Sequence, residues 1–309
     1  MSVDFRQLRA FDAVARCGGF SKASREVGLT QPTLSTHISN LEQQLGVRLF
    51  DRSGRSVILT PAGKVLAGYA KRILNLCEES VQAVEVFTGS IKGTVHVDAS
   101  TVPGEYILPR WLIGFRDRYP QVQVILNVSD SSVVLERVES GETSIGVTGS
   151  PGTKATLDSR LLTDDKILLV SAPQVAGPDR AEGPPGEILA TLPLIRREPG
   201  SGTQIAVEEA LREMGMEPDS LRWSVTLGST RAVIEGALAG LGAAFLSAST
   251  VSRELAEGTL VPIGTAGLRI RRGFYVVTNS RRTLSPVAAR FLEELMATGR
   301  GLTSGGRTG

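Results

Sequence analysis

Two groups of residues have the types and spacing to do chemistry. The first lies near the amino end, where Gln31-Pro32-Thr33 runs on to Ser35, Thr36 and His37, with Ser21 before it and Arg52 and Arg55 after it. Gln31, Thr33, Ser35, Thr36, His37, Ser39 and Asn40 are short, uncharged hydrogen-bonding groups suited to base edges and phosphate oxygens. A plain solvated helix face is rich in Lys and Glu, and Thr, Ser and Asn are poor helix formers, so this composition favours a reading surface. The second group is a set of hydroxyl-rich segments that each precede a helical pattern: Ser100-Thr101, Gly200-Ser201-Gly202-Thr203 and Gly228-Ser229-Thr230, with Thr148 ending a strand pattern. Free N–H groups and the positive end of a helix favour an anion at such places. Arg196, in Arg196-Arg197-Glu198-Pro199-Gly200, adds a guanidinium beside a backbone nest. Each segment alone also reads as an ordinary helix cap. Together they predict a cleft for a small anionic metabolite, with no cofactor.

Other chemistries lack material. With His37 and His96 the only histidines, a Ser-His-Asp hydrolase or a multi-histidine metal site has little to be built from. Gly240-Leu241-Gly242 lacks the third glycine of a dinucleotide fingerprint, and no Gly-Lys-Ser phosphate loop exists. Cys17 and Cys77 have no close-spaced partner and read as two buried thiols. The chain is therefore not expected to be an enzyme or to hold a metal.

The elements that must position these residues follow from periodicity. Phe5, Leu8, Phe11, Val14 and Ala15 recur at helical spacing until Gly18-Gly19. Ser21 is placed to cap a short second helix ending at Gly28, and Thr30-Gln31-Pro32 opens a third that buries Leu34, Ile38, Leu41 and Leu45. Two helices joined by so tight a turn form a helix-turn-helix, whose second helix enters a major groove. Gly46 to Thr60 reads as two short strands around a glycine turn, a wing that brings Arg52 and Arg55 to phosphates or the minor groove. Thr60-Pro61 opens a long helix to about Phe87, whose stripe of Val65, Leu66, Tyr69, Ile73, Leu76, Val81, Val84 and Phe87 calls for a partner chain.

Beyond Gly93 strands and helices alternate, an α/β pattern with mainly parallel sheets. Strands are expected at 94–98, 122–128, 144–148, 166–171, 192–196, 222–226, 243–246 and 269–278, and helices at 106–119, 131–140, 203–214, 230–239 and 286–297. Residues 174–186 read as a surface loop and the segment from Gly299 onward as a disordered tail.

Charge supports the division. Residues 1–72 carry 11 Lys+Arg against 5 Asp+Glu, a net +6, while the remainder carries 23 against 27, a net −4. The basic head suits nucleic acid and the acidic remainder does not. No stretch is long and apolar enough for a bilayer span and no secretory signal opens the chain, so a cytoplasmic location away from membranes is expected.

These residues carry a resemblance. Leu8-Arg9-Ala10-Phe11, Gly19-Phe20-Ser21-Lys22-Ala23-Ser24, Thr30-Gln31-Pro32-Thr33-Leu34-Ser35, Leu49-Phe50-Asp51-Arg52 and Leu59-Thr60-Pro61-Ala62-Gly63 are similar to the amino-terminal signature of the LysR-type transcriptional regulators. Departures are Ser24, Thr30 and His37, where Ala, Ser and Gln are common, and Ser144, which replaces a usual acidic residue in the second part. The resemblance implies a winged helix-turn-helix head, residues 1–60, and a linker and dimerisation helix, residues 61–89. It implies a two-lobed effector domain like the periplasmic binding proteins, with lobe 1 at 93–161 and 266–298, lobe 2 at 162–265, and a tail at 299–309. It further implies homodimers or homotetramers on promoter DNA, RNA polymerase as a candidate partner, and Ser21, Gln31, Pro32, Thr33, Ser35, Thr36 and Arg52 at the DNA surface.

Overall fold

The computed structural model describes residues 3–53, 56–85, 91–177, 184–264 and 268–304. It divides into two compact units, residues 1–90 and 91–309.

The first unit opens with α1 (Phe5–Cys17), held by a capping box in which Asp4 accepts from the first turn and Gln7 answers to the Asp4 N–H. Next come α2 (Phe20–Val27), α3 (Gln31–Leu45), the antiparallel hairpin β1 (Phe50–Ser53) and β2 (Ser56–Leu59), and α4 (Pro61–Glu85). The apolar faces meet in one core of Leu8, Phe11, Val14, Leu34, Ile38 and Leu41, closed by Phe50, whose ring lies 5.2 Å from that of Phe11. Ser21 is not the cap expected of it. Gly19 in extended conformation starts α2 earlier, so Ser21 lies inside its first turn. Thr30 does cap α3, accepting from Thr33 N at 3.3 Å.

The second unit holds a nine-stranded sheet. In chain order its elements are β3 (Gly93–Ser100), α5 (Leu108–Arg118), β4 (Val122–Ser129), α6 (Ser131–Ser140), β5 (Ile145–Thr148), β6 (Leu157–Ser171), α7 (Pro173–Ala176) and α8 (Pro185–Thr191). They continue as β7 (Leu194–Arg197), α9 (Gly202–Glu213), β8 (Trp223–Leu227), α10 (Thr230–Leu238), β9 (Ala243–Ser247), α11 (Ser252–Glu257), β10 (Val261–Pro262), β11 (Ile270–Asn279) and α12 (Pro286–Ser304). A π-helical turn, Pro103–Ile107, leads into α5. The strand order is β4-β3-β5-β11-β6-β9-β7-β8, with β10 on β6.

The sheet is mixed where mainly parallel pairing was expected: β3 with β4 and β5, and β7 with β8 and β9, are parallel, but β11 and β6 run antiparallel to their neighbours. The reason is that these two long strands cross between lobes in opposite directions. One core, with Val97, Ile145, Leu162 and Val276, lies between β3, β5 and helices α5 and α12. Two others hold Ile167, Leu194, Val207 and Ile270, and Val170, Ile234 and Leu246. Leu162 thus belongs with the first lobe and Ile270 with the second, so both crossings lie a few residues beyond the expected boundaries 161/162 and 265/266.

The reading of 174–186 as loop also changes: its two ends are in α7 and α8, while residues 178–183 lie outside those described. The tail expected from Gly299 is helical as far as Ser304, with 305–309 outside the described residues. Cys17 and Cys77 are half-buried, not buried, and the Cys17 thiol donates to Glu26 Oε2 at 3.0 Å.

Gly63, in the first turn of α4, meets the wing closely: a Cβ there would fall 2.1 Å from the Leu49 carbonyl oxygen. Gly63→Ala is expected to destabilise the head by about 2 kcal/mol through backbone displacement. Urea denaturation of the full chain checks it, and a change within experimental error would show that the approach is looser than described.

Candidate DNA surface and effector cleft

Helix α3 presents Gln31, Pro32, Thr33, Thr36, Ser39 and Asn40 exposed, and Ser35 and His37 half-buried. The helix-turn-helix geometry is fixed by polar bonds as well as by the core. Ser21 Oγ donates to Gln31 Oε1 at 3.0 Å, tying α2 to the start of α3. The Thr30 and Thr33 hydroxyls share a bond of 2.8 Å, and Thr36 Oγ1 donates to Pro32 O at 3.0 Å. Glu42 on α3 accepts from Leu49 N and Phe50 N at 2.8 and 3.3 Å, which pins the root of the wing to the same helix. Arg52 stands in β1, where its side chain is not among the described ones, and Arg55 lies outside the described residues.

In the second unit, the carboxyl ends of the parallel strands of each lobe open on one cleft. Lobe 1 contributes Ser100 and Thr101 after β3, Asp130 and Ser131 after β4, and Gly149 after β5. Lobe 2 contributes Arg197 from β7 and Gly200 to Thr203 at the start of α9, and β11 contributes Arg272 and Phe274. Five expected effector residues are therefore brought together: Ser100, Thr101, Ser201, Gly202 and Thr203.

Four are not. Arg196 points away because neighbouring residues of a strand face opposite sides. It pairs with Glu208 at 2.6 Å and Asp219 at 3.0 Å and lies over the Trp223 ring, leaving the cleft to Arg197. Thr148 is buried in the sheet and donates to Ser150 O at 2.7 Å. Ser229 caps α10, accepting from Ala232 N at 3.1 Å. Thr230 is buried behind the wall, where it accepts from Arg197 Nη1 at 2.6 Å and so positions a cleft residue without lining the cleft.

The residues that sequence reasoning missed are the charged ones. Arg272 and Asp165 face each other in register across β11 and β6, with Nε to Oδ2 at 2.9 Å and side chains only 6% and 3% exposed. Arg272 Nη1 donates to Thr203 Oγ1 at 3.0 Å, and the guanidinium lies over the Phe274 ring, 4.8 Å from its centroid. Its Nη2 is buried and has no hydrogen-bond partner. Burial pulls the Arg272 guanidinium down from its ordinary value, against the opposing field of Asp165. Arg197 is gripped by Glu198 at 2.6 and 2.7 Å. Burial works against ionised Glu198, but the bonds from Arg197 prevail and hold its carboxyl below the usual range.

The cleft has room for a ligand beside Arg272 because two glycines stand there. A Cβ on Gly149 would come within 3.3 Å of Arg272 Nη1, and one on Gly202 within 3.4 Å of Ser131 Oγ. Asp130-Ser131 was legible by the strand-to-helix rule that singled out Ser100-Thr101; a lone arginine inside an alternating strand gives no comparable signal. Among the described residues no group of three or more His, Cys, Asp or Glu could hold a metal, and no helix is long and apolar enough to cross a membrane.

A winged helix-turn-helix followed along the chain by a two-lobed α/β cleft domain defines a ligand-responsive transcriptional regulator. Residues 5–64 match the family model of the bacterial regulatory helix-turn-helix proteins of the lysR family, and residues 88–300 that of the LysR substrate binding domain. The chain belongs to the LysR family: it is a DNA-binding transcriptional regulator with an effector-binding domain, and not an enzyme. It is 33% identical to a probable RuBisCO transcriptional regulator of Cyanophora paradoxa over 94% of this chain and 90% of that one. Its fold is similar to full-length CbnR complexed with target DNA, with a TM-score of 0.71 and 21% identity over 96% of this chain and 99% of the other. The regulatory domain of Synechocystis PCC6803 CcmR in complex with 2-PG is 26% identical, with a TM-score of 0.60 over 68% of this chain and 98% of that one.

The geometry separates Arg272 from Arg196. Arg272→Met leaves buried Asp165 without its cation, and is expected to cost about 4 kcal/mol, whereas Arg196→Met, whose partners Glu208 and Asp219 keep access to water, is expected to cost about 1 kcal/mol. Chemical denaturation of the two variants checks this, and equal losses would contradict the contrast.

Proposed function

We propose that this chain is an oligomeric regulator that reads operator DNA through Gln31, Pro32, Thr33, Ser35, Thr36 and His37, with Ser21, Arg52 and Arg55 supporting on the backbone. Its effector is a small oxyanion, sulfate-like or a carboxylate, held in the cleft of the second unit. The observation that carries the effector reading is Arg272, a buried cation lining that cleft whose Nη2 has no hydrogen-bond partner. A buried polar group without a partner is costly, and an anionic oxygen would satisfy it. The starts of α6 and α9 add N–H groups and positive helix ends on opposite walls, which favours lobe closure on an anion. The likeness to probable RuBisCO regulators supports genes of carbon fixation as the target class, and a relative solved with 2-PG supports a small metabolite as signal.

Oligomerisation follows from α4. Val65, Tyr69, Ile73, Leu76, Val81 and Val84 are exposed along it, at up to 69% for Val84, an apolar stripe that a second copy would bury. Ile73→Glu with Leu76→Glu is therefore expected to yield monomers in sedimentation equilibrium and to weaken operator binding at least about 100-fold, because two half-sites no longer act together. A dimer that survives the double substitution would exclude α4 as the interface.

DNA binding by the wild-type chain is expected to fall steeply with salt, on the order of 1000-fold between 50 and 200 mM. Anisotropy titrations on DNA upstream of the adjacent gene test it. Binding that is absent at low salt, with and without candidate anions, would overturn the reading.

A further inference from the structure

Two charged groups at the cleft, Arg272 and Asp130, keep hydrogen-bonding capacity that the protein does not use. The donor is the Arg272 guanidinium: Nε and Nη1 donate to Asp165 and Thr203, while Nη2 is buried with no partner in the protein. The acceptor is the carboxylate of Asp130. It occupies the N-cap position of α6, where an aspartate ordinarily accepts from the first turn, yet its side chain makes no cap bond. Forgoing that bond leaves both the helix-end N–H groups and the carboxylate available at the cleft wall, where Asp130 is exposed.

The two groups make different demands. Arg272 Nη2 requires an acceptor, and an anionic oxygen serves best. A carboxylate only accepts, so Asp130 repels a bare oxyanion but binds one that brings its own proton. The hydroxyls of Ser100, Thr101 and Ser131 donate or accept as needed and do not discriminate. Among the side chains lining the cleft, Asp130 is the only carboxylate.

We propose that Asp130 sets the specificity of the cleft: paired with Arg272 Nη2, it selects an effector carrying both an anionic oxygen and a proton-donating O–H, as a hydroxy acid or a hydrogen phosphate does, and rejects fully deprotonated oxyanions. This rests on the reading of the cleft as the effector site and narrows the oxyanion to a protonated or hydroxylated one. A site built to bond a ligand hydroxyl discriminates strongly against the analogue without it, because its own polar group is left unpaired.

The test is isothermal titration calorimetry on the full-length protein at constant ionic strength and neutral pH, with two matched pairs of probes. Inorganic phosphate is compared with sulfate, and glycolate with acetate; the first pair reports a hydrogen phosphate and the second a hydroxy acid. At least one O–H-bearing probe is expected to bind about tenfold or more tightly than its partner, the worth of one bond to a charged group. In Asp130→Asn, whose amide donates as well as accepts, that ratio is expected to fall to about twofold or less. Arg272→Lys, which keeps a cation beside Asp165, is expected to weaken every probe that binds. If Arg272→Lys weakens the probes but Asp130→Asn leaves the ratio unchanged, the assignment of Asp130 falls and the cleft reading stands. If wild type and Arg272→Lys bind alike, or no probe binds wild type, the cleft reading itself falls and this inference with it.

Discussion

Arg272 and Asp165 meet where the two longest strands of the second unit, β11 and β6, pass each other between lobes. The pair sits at the change from one core to the other, with Leu162 and Val276 packed on one side and Ile167 and Ile270 on the other. A buried ion pair contributes little net stability, but breaking it leaves an expensive lone charge. The register of the crossing strands is therefore held by a contact that tolerates no slippage. Arg272 of this pair also lines the cleft. Thr203 at the start of α9 joins it from one lobe, and Ser247 Oγ donates to the far oxygen of Asp165 at 2.6 Å. A group that reaches Arg272 thus bears on both crossing strands and on α9 at once.

That placement explains the uneven use of charge around the cleft. Arg197 is neutralised by Glu198 and Arg272 by Asp165, so the walls rely on helix starts, hydroxyls and one free guanidinium nitrogen. Such walls offer directed donors, which demand geometry, more than net charge, which does not. A register shift in the β6–β11 pairing follows directly on Phe274, and this bulge lies next to the two β11 side chains that line the cleft.

The head obeys a different constraint. Its core is small, and Phe50 joins two aromatic rings in it, with its centroid 5.2 Å from that of Phe11 and 6.3 Å from that of Phe20. With so few buried groups, orientation of the reading helix is shared with polar links: Ser21 to Gln31 on one side and Glu42 to the wing on the other. The outer face of α3 is then free to carry poor helix formers, because packing and caps hold the helix that propensity alone would not.

How much of this was legible in the chain depends on range. Local patterns located the helix-turn-helix, the wing, α4 and its stripe, because caps, turns and periodicity act between residues close in sequence. The charge division between head and remainder needed only counting. The same rules placed Ser100, Thr101 and Ser201 to Thr203 at the cleft, since a strand that ends before a helix exposes N–H groups wherever it occurs. They failed where facing had to be known. Arg196 and Arg197 are neighbours with identical chemistry, and only the pairing of β7 decided which one turned inward. Arg272 and Asp165 are 107 residues apart, and nothing local marks either as paired. The sequence by itself determined the elements, the family signature and the helix starts with their exposed N–H groups, because these are written in short-range spacing. Tertiary structure alone decided which charges face the cleft and which one is left unsatisfied, because burial and cross-strand register are properties of the folded sheet.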